Sequence, residues 1–186
     1  MSKSVSGFVF IGGLSTRFGS NKLFHPIDGI PMGLVVLNNL AKSFSGESSV
    51  VGPPVDHADF LNIPRVDGAR EGQGPLGALC DVLECAKTDF VVFAPCDTPF
   101  FTSSDFEQLL NVSANLDVVV AADSQIPHLR HWLLSCWNVE TTRDHMIEAY
   151  SSGERAIHRA IAGLSVGDRY FSSDVLTNVN TPADAQ

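Results

Sequence analysis

Phe8-Val-Phe-Ile-Gly-Gly-Leu-Ser-Thr-Arg-Phe-Gly-Ser-Asn-Lys22 opens as an apolar run that reads as a buried strand, then breaks into a small-residue loop. The loop holds Gly12, Gly13 and Gly19, the hydroxyls of Ser15 and Thr16, and two cations, Arg17 and Lys22. Glycine leaves backbone N–H groups uncovered and permits positive φ, so such a loop can wrap closely around a phosphate chain. Arg17, as a planar fork, and Lys22, as a point charge, can neutralise phosphate oxygens. Leu23 follows Lys22 where a Walker A loop has Ser or Thr, and the glycine spacing is not G-x-G-x-x-G. An ordinary strand-to-helix turn with solvated cations is the other reading of the same residues.

Outward from this stretch, short apolar β-rich runs alternate with helix-like segments. Strands are expected at 7–11, 49–52, 90–94, 117–121, 132–136 and 169–171, and helices at 32–43, 76–86, 104–111, 142–150 and 154–162. The strands are almost continuously apolar, which predicts a mostly parallel sheet covered on both faces. Ser104-x-x-Glu107 and Thr141-x-x-Asp144 read as capping boxes, and Pro75 stands where a first-turn proline belongs. Asp28-Gly29 reads as a tight turn in a short excursion before the first helix. The pattern is α/β and Rossmann-like. In such sheets ligands bind beyond the carboxyl ends of the strands, so the loops after strands are the places to search.

Three further stretches lie at such ends. In Val66-Asp-Gly-Ala-Arg-Glu-Gly-Gln-Gly-Pro-Leu-Gly-Ala78, Gly74 and Pro75 build a stiff turn from which a helix starts. Backbone groups there can meet the edge of a flat ring, and Asp67 can accept from two adjacent N–H donors. Guanine presents that donor pair; adenine and cytosine do not. A plain strand–loop–helix connection is the alternative. In Phe90-Val-Val-Phe-Ala-Pro-Cys-Asp-Thr-Pro99, a buried strand delivers Asp97 to the carboxyl edge, where a hard oxygen ligand suits Mg²⁺; an Asp in a proline turn is the alternative. In Leu176-Thr-Asn-Val-Asn-Thr-Pro-Ala-Asp184, Asn178 and Asn180 alternate and so point to one side of an extended segment. Thr181 can cap a helix that begins at Pro182.

Composition bounds the function. At 186 residues and 44% hydrophobic, the chain can bury one substantial core, and one domain is expected. Net charge is −9, which disfavours a general binder of nucleic acid or anionic membrane. Residues 1–27 carry three of the 12 Lys and Arg and none of the 21 Asp and Glu, so the rest of the chain has nine bases against 21 acids, a net −12. A positive island in an acidic protein suits a small polyanion held at one place. The four cysteines, Cys80, Cys85, Cys96 and Cys136, have no C-x-x-C spacing and read as free thiols in a reducing compartment. His128-x-x-His131 has no nearby third ligand, which disfavours zinc. No apolar run approaches the ~18 residues of a membrane span, and the N-terminal stretch reads as a strand rather than a signal peptide. The expected location is the cytoplasm.

Taken together, the four motifs resemble the signature of the MobA-like nucleotidyltransferases. The first follows that family's strand–x-Gly-Gly-x-Ser-x-Arg-x-Gly-x-x-Lys pattern, Gly-Pro-Leu-Gly-Ala is similar to its Gly-Pro-Leu-Ala-Gly, Pro-Cys-Asp-x-Pro matches at every fixed position, and Asn-x-Asn-Thr-Pro-x-Asp closes the series. Within that group the likeness is greatest to the molybdenum cofactor guanylyltransferases. Two departures stand out: Gly77-Ala78 replaces Ala-Gly, and Phe-Ile-Gly-Gly replaces Leu-Ala-Gly-Gly, so that a bulkier Ile11 narrows the ribose side of the pocket. The chain also stops soon after Pro182, where family members continue into a helix, so a trimmed or frayed last element is expected.

The resemblance implies a three-layer αβα nucleotidyltransferase fold over residues 1–186. It implies transfer of GMP from GTP to the terminal phosphate of molybdopterin, with or without molybdenum, releasing pyrophosphate. GTP contacts would come from Ile11, Gly12, Gly13, Ser15, Gly19, Lys22, Asp67, Gly74, Pro75, Leu76 and Asp97. Arg17, Lys22, Asp97, Asn178 and Asn180 would form the catalytic floor, with Mg²⁺ on Asp97. Arg130, His128 and His131 stand near the acceptor side or in a solvated loop. So labile a product suggests hand-over within a transient complex with other cofactor-biosynthesis or molybdoenzyme-maturation proteins; no nucleic acid or membrane partner is expected. The related cytidylyltransferases lack Gly-Pro-Leu, which favours GTP. The alternatives are CTP or another phosphorylated acceptor, and a non-catalytic nucleotide-binding relative.

Overall fold

The computed structural model describes residues 3–12, 22–55, 60, 62–111 and 115–185. The chain runs β1 (Val5–Phe10), a hairpin of β2 (Pro26–Ile27) and β3 (Ile30–Pro31), α1 (Met32–Lys42), β4 (Ser48–Val51), β5 (Arg65–Val66), α2 (Gly74–Cys85), β6 (Phe90–Pro95), α3 (Ser103–Leu110), β7 (Val118–Asp123), β8 (Arg130–Asn138), α4 (Val139–Ser151), α5 (Ile157–Ala160) and β9 (Val166–Phe171). Seven strands form one sheet in the order β5-β4-β1-β6-β8-β7-β9. Among them only β8 runs antiparallel to its neighbours.

Strand parity builds the two outer layers. Side chains alternate across a strand. Val9 and Ile11 therefore pack with Val36, Leu37 and Leu40 of α1 and Phe106 and Leu109 of α3. Phe8 and Phe10 face the opposite layer, with Leu76, Leu79 and Leu83 of α2 and Met146 of α4. Burying a side chain such as Leu79 or Phe93, both wholly inaccessible, contributes about 1.5–3 kcal/mol. The sheet is thus filled from both sides, a Rossmann-like αβα sandwich.

Several boundaries differ from the sequence expectation. The cap of α3 is Thr102, two residues before Ser104: its carboxylate partner Asp105 accepts from Thr102 N at 2.8 Å, completing a capping box. The cap of α4 is Asn138, whose Oδ1 accepts from Glu140 N and Thr141 N, so Thr141 lies inside the helix. The helix expected at 154–162 shrinks to Ile157–Ala160, because Glu154 instead binds the backbone of Arg155 and Ala156. The Asp28-Gly29 turn is present, with φ of 48° and 80°, as a two-residue hairpin of this kind requires. On β8 the register against β7 jumps from Val120↔Ser135 to Ala121↔His131, leaving Trp132, Leu133 and Leu134 as a bulge near the carboxyl edge of the sheet.

Candidate active site

Two parallel neighbours, β1 and β6, end side by side. Phe10 pairs with Pro95, and Cys96 N donates to Phe10 O at 3.1 Å. The next residue is Asp97. It is buried although charged, and its Oδ2 is 2.5 Å from Lys22 Nζ. Its other oxygen, Oδ1, is buried with no hydrogen-bond partner among the described residues. An ionised carboxylate with one idle buried oxygen is costly unless something cationic completes it. Cys96, beside it, is so deeply buried that its thiol is pushed up to about 12, and it stays protonated.

The C-terminal segment docks on the same edge. Val179 N donates to Asp97 O at 2.9 Å, and the Val179 side chain is buried against Met32, Ile27 and Phe100. With Val179 inward, Asn178 and Asn180 are both exposed on the flanks, as alternation requires. Asp184 accepts from Asn180 N and Thr181 N, which fixes the turn and holds its own carboxyl below the usual range.

One strand further out lies a cavity of about 400 Å³. Phe10, Val51 and Val66 supply apolar lining from three strand ends; Gly74, Pro75 and Ala78 line it from the start of α2. Gly12 and Gly52 bring bare backbone to it. The loop between β5 and α2 is held by ion pairs. Asp81, almost fully buried on α2, accepts from Arg70 N at 3.1 Å and from Arg70 Nη1 at 2.7 Å. Glu84 takes the same guanidinium at 2.8 Å, and these hydrogen bonds hold the Arg70 pKa above its ordinary value. Gly68 is required there: a Cβ would stand 1.9 Å from Asp81 Oδ2. Arg65 ties the other flank, donating to Gly52 O at 2.9 Å, to Glu71 at 3.1 Å and to Asp67 Oδ1.

The residues singled out from sequence are distributed unevenly. Gly12, Gly74 and Pro75 meet on the cavity. Lys22 and Asp97 meet at the strand edge. Gly13, Ser15, Arg17 and Gly19 lie outside the described residues. One expectation needs correction. The Ile11 side chain is buried in the α1/α3 layer and narrows nothing in the cavity; strand parity puts Phe10 there instead. The Leu76 side chain, on α2, is wholly buried and packs in the core, whereas the contact expected at Gly74–Leu76 is one of backbone groups. Asp67 stands between the lining residues Val66 and Gly68, but its carboxylate is 80% exposed and held by Arg65.

Arg65, Arg70, Asp81 and Phe10 were not singled out from sequence. Asp81 had a signal: a carboxylate inside the apolar helix run Leu-Gly-Ala-Leu-Cys-Asp-Val-Leu is rarely buried without a partner. At the far edge, Arg130 pairs with Asp168 through Nε at 2.7 Å and Nη2 at 2.9 Å and stacks over Trp132. His131 Nε2 is buried with no partner among the described residues, and burial lowers its pKa. His128 is exposed. Among the described residues no group of three or more His, Cys, Asp or Glu gathers as a metal site, and no helix is long and apolar enough to cross a membrane.

Comparison with known proteins agrees with this architecture. A molybdenum cofactor guanylyltransferase of Yersinia pestis (strain Pestoides F) is 28% identical over 190 residues, covering 99% of this chain and 94% of that protein. The crystal structure of molybdopterin-guanine dinucleotide biosynthesis protein A from Archaeoglobus fulgidus superposes with a TM-score of 0.77 at 21% identity, over 97% of this chain and 94% of that one. The 2-C-methyl-D-erythritol 4-phosphate cytidylyltransferase of Thermus thermophilus has the same fold, with a TM-score of 0.70 at 15% identity, over 96% and 94%. Residues 7–166 match the MobA-like NTP transferase domain, and by that match, on a sheet of the same architecture, the chain belongs to this family of nucleotidyltransferases.

Proposed function

We propose that the chain transfers GMP from GTP to the terminal phosphate of molybdopterin, with or without bound molybdenum. An oxygen of the acceptor phosphate attacks the α-phosphorus of GTP, the bond from that phosphorus to the bridging α–β oxygen breaks, and pyrophosphate leaves with the electron pair. The observation that carries this reading is Asp97, delivered by β6 to the sheet edge with Oδ1 buried and unpartnered among the described residues and Oδ2 on Lys22. The near full-length likeness to proteins named molybdenum cofactor guanylyltransferase supports the choice of substrates.

The residues fit a divalent cation such as Mg²⁺, which takes one or two carboxylates and fills its remaining positions with water and substrate phosphates. Asp97 would hold it; when bound it offsets negative charge on the phosphate oxygens. Two anions must meet, so positioning and charge neutralisation are the main tasks of the protein. Lys22, with Arg17 and the backbone of the loop from Gly12 through Gly13, Ser15 and Gly19, grips the triphosphate. Asn178 and Asn180 complete the polar floor. The guanine lies in the cavity against Gly74 and Pro75, and Asp67 at its edge accepts from the base N–H donors. The acceptor phosphate is already ionised, so no protein nucleophile is required, and the buried thiols take no part.

Calorimetry of GTP, CTP and ATP with Mg²⁺ in one buffer tests the reading. Preference for GTP, followed by pyrophosphate release when molybdopterin is added, is the expected result. Preference for CTP would move the chain to a cytidylyl activity, and no binding of any of the three would sink the mechanism.

A further inference from the structure

The ring of Phe10 has an unusual position. It ends β1 at the carboxyl edge, on the α2 side of the sheet, and it is half-buried where Phe8 below it is buried. Behind it lies Phe93, itself wholly inaccessible, with ring centroids 6.1 Å apart and planes tilted by 31°. In front of it lies the 400 Å³ cavity. Gly12 fixes the ring from above: a Cβ there would stand 2.5 Å from both Cε2 and Cζ of Phe10, so bare backbone is needed for the ring to occupy this place. A large apolar ring braced on one side and open to a cavity on the other is a flat binding surface. Pro75 and Ala78 line the same space from α2.

We propose that Phe10 is the platform on which the base of the nucleotide stacks, and that it favours purine over pyrimidine. The inference rests on the reading that this cavity receives the base of a nucleoside triphosphate. Stacking needs no hydrogen bond and grows with ring overlap, so a bicyclic base gains more than a monocyclic one. Asp67 and the backbone near Gly74 then discriminate among purines, while Phe10 discriminates by ring size. Support from Phe93 and the close approach of Gly12 leave the ring little freedom to lose on binding, which is what a pre-organised contact requires.

The test compares wild type with Phe10→Leu and Phe10→Tyr by calorimetry with GTP and CTP in the presence of Mg²⁺. It also seeks nuclear Overhauser contacts between Phe10 ring protons and base protons in the wild-type protein. Phe10→Leu keeps apolar bulk but removes the aromatic face; it is expected to weaken GTP by about 10-fold, the size of one lost base–aromatic stack, and CTP by less. Phe10→Tyr is expected to stay within about twofold of wild type. Contacts from the ring to guanine H8 are expected. A Phe10→Leu affinity equal to wild type, or bound GTP with no contact to the ring, would overturn the stacking role while leaving the guanylyl reading intact. Should Phe10→Leu not fold, the contacts in wild type decide alone. Ring contacts to a preferred CTP would overturn the purine preference and the guanylyl reading but keep the platform. Failure of both nucleotides to bind would remove both proposals.

Discussion

Lys22 Nζ lies 2.5 Å from Asp97 Oδ2, so the cation proposed to grip phosphate rests on the carboxylate proposed to hold the metal. The two groups neutralise each other across the junction of β1 and β6. Nucleotide and cation together can replace this pairing, because each brings the charge that one partner gives up. Asp97→Ala is predicted to lower the transfer rate by about 10²–10³, the typical loss for one electrostatic stabiliser. Pyrophosphate release under saturating GTP measures it, and activity within about threefold of wild type would take Asp97 out of the mechanism.

Lys22→Ala should act mainly on GTP binding. Its ammonium is a point charge suited to the triphosphate, whereas Asp97, the proposed metal ligand, remains. An isotherm for GTP with Mg²⁺ that superimposes on wild type would count against that role.

Asp67→Asn should relax the preference for guanine, because an amide can no longer accept from both base donors with full charge. Arg65 already engages Oδ1 of Asp67 and also binds Gly52 O and Glu71, so it sets where that carboxylate stands. The relevant readout is the ratio of GTP to ATP affinity. A ratio unchanged by the substitution would show that the base is read elsewhere.

Gly68→Ala should destabilise the fold by about 1–3 kcal/mol, as overpacking does. The new methyl would meet Asp81 Oδ2 at 1.9 Å and break the carboxylate from Arg70. Thermal melts of Gly68→Ala, Asp81→Ser and the double variant check this. The double should cost less than the two singles summed, since removing the carboxylate removes the clash. Strict additivity would mean that the contact is not the cause.

The thiols give a prediction in pH. Burial pushes Cys80 up to about 11 and Cys96 and Cys136 up to about 12, so all three are protonated and shielded at neutral and mildly alkaline pH. Cys85 is exposed, and its thiol is raised less. Alkylation with iodoacetamide at pH 8 should add one label, at Cys85, and its rate should climb with pH as the thiolate forms. Mass spectrometry of the folded protein would show two or more labels if the other three were accessible.

The elements that the sequence made legible were those with a one-dimensional signature. Near-continuous apolar runs marked β1, β6 and β7, and Asp28-Gly29 marked the hairpin by its positive-φ requirement. Caps were harder because Thr102 and Ser104, or Asn138 and Thr141, are all competent, and only the three-dimensional start of the helix chooses between them. β5 was hidden because two residues, Arg65 and Val66, carry no period. At the site, Asp97 followed from the end of a buried strand. The choice between Phe10 and Ile11 turned on strand parity, where a shift of one residue exchanges the two faces. The pairs Arg65–Asp67 and Arg70–Asp81 join loop to strand and loop to helix, and nothing in local spacing announces them.

The hydrogen bond from Val179 N to Asp97 O also has a meaning in time. On the ribosome β1 and β6 can pair well before residue 179 emerges, because domains begin to assemble from the N-terminal side during synthesis. Asp97 is therefore made early and seated late. A growing chain displays an open sheet edge at the candidate site until the segment around Val179 arrives to clasp it. No translation product ending short of residue 179 carries that clasp.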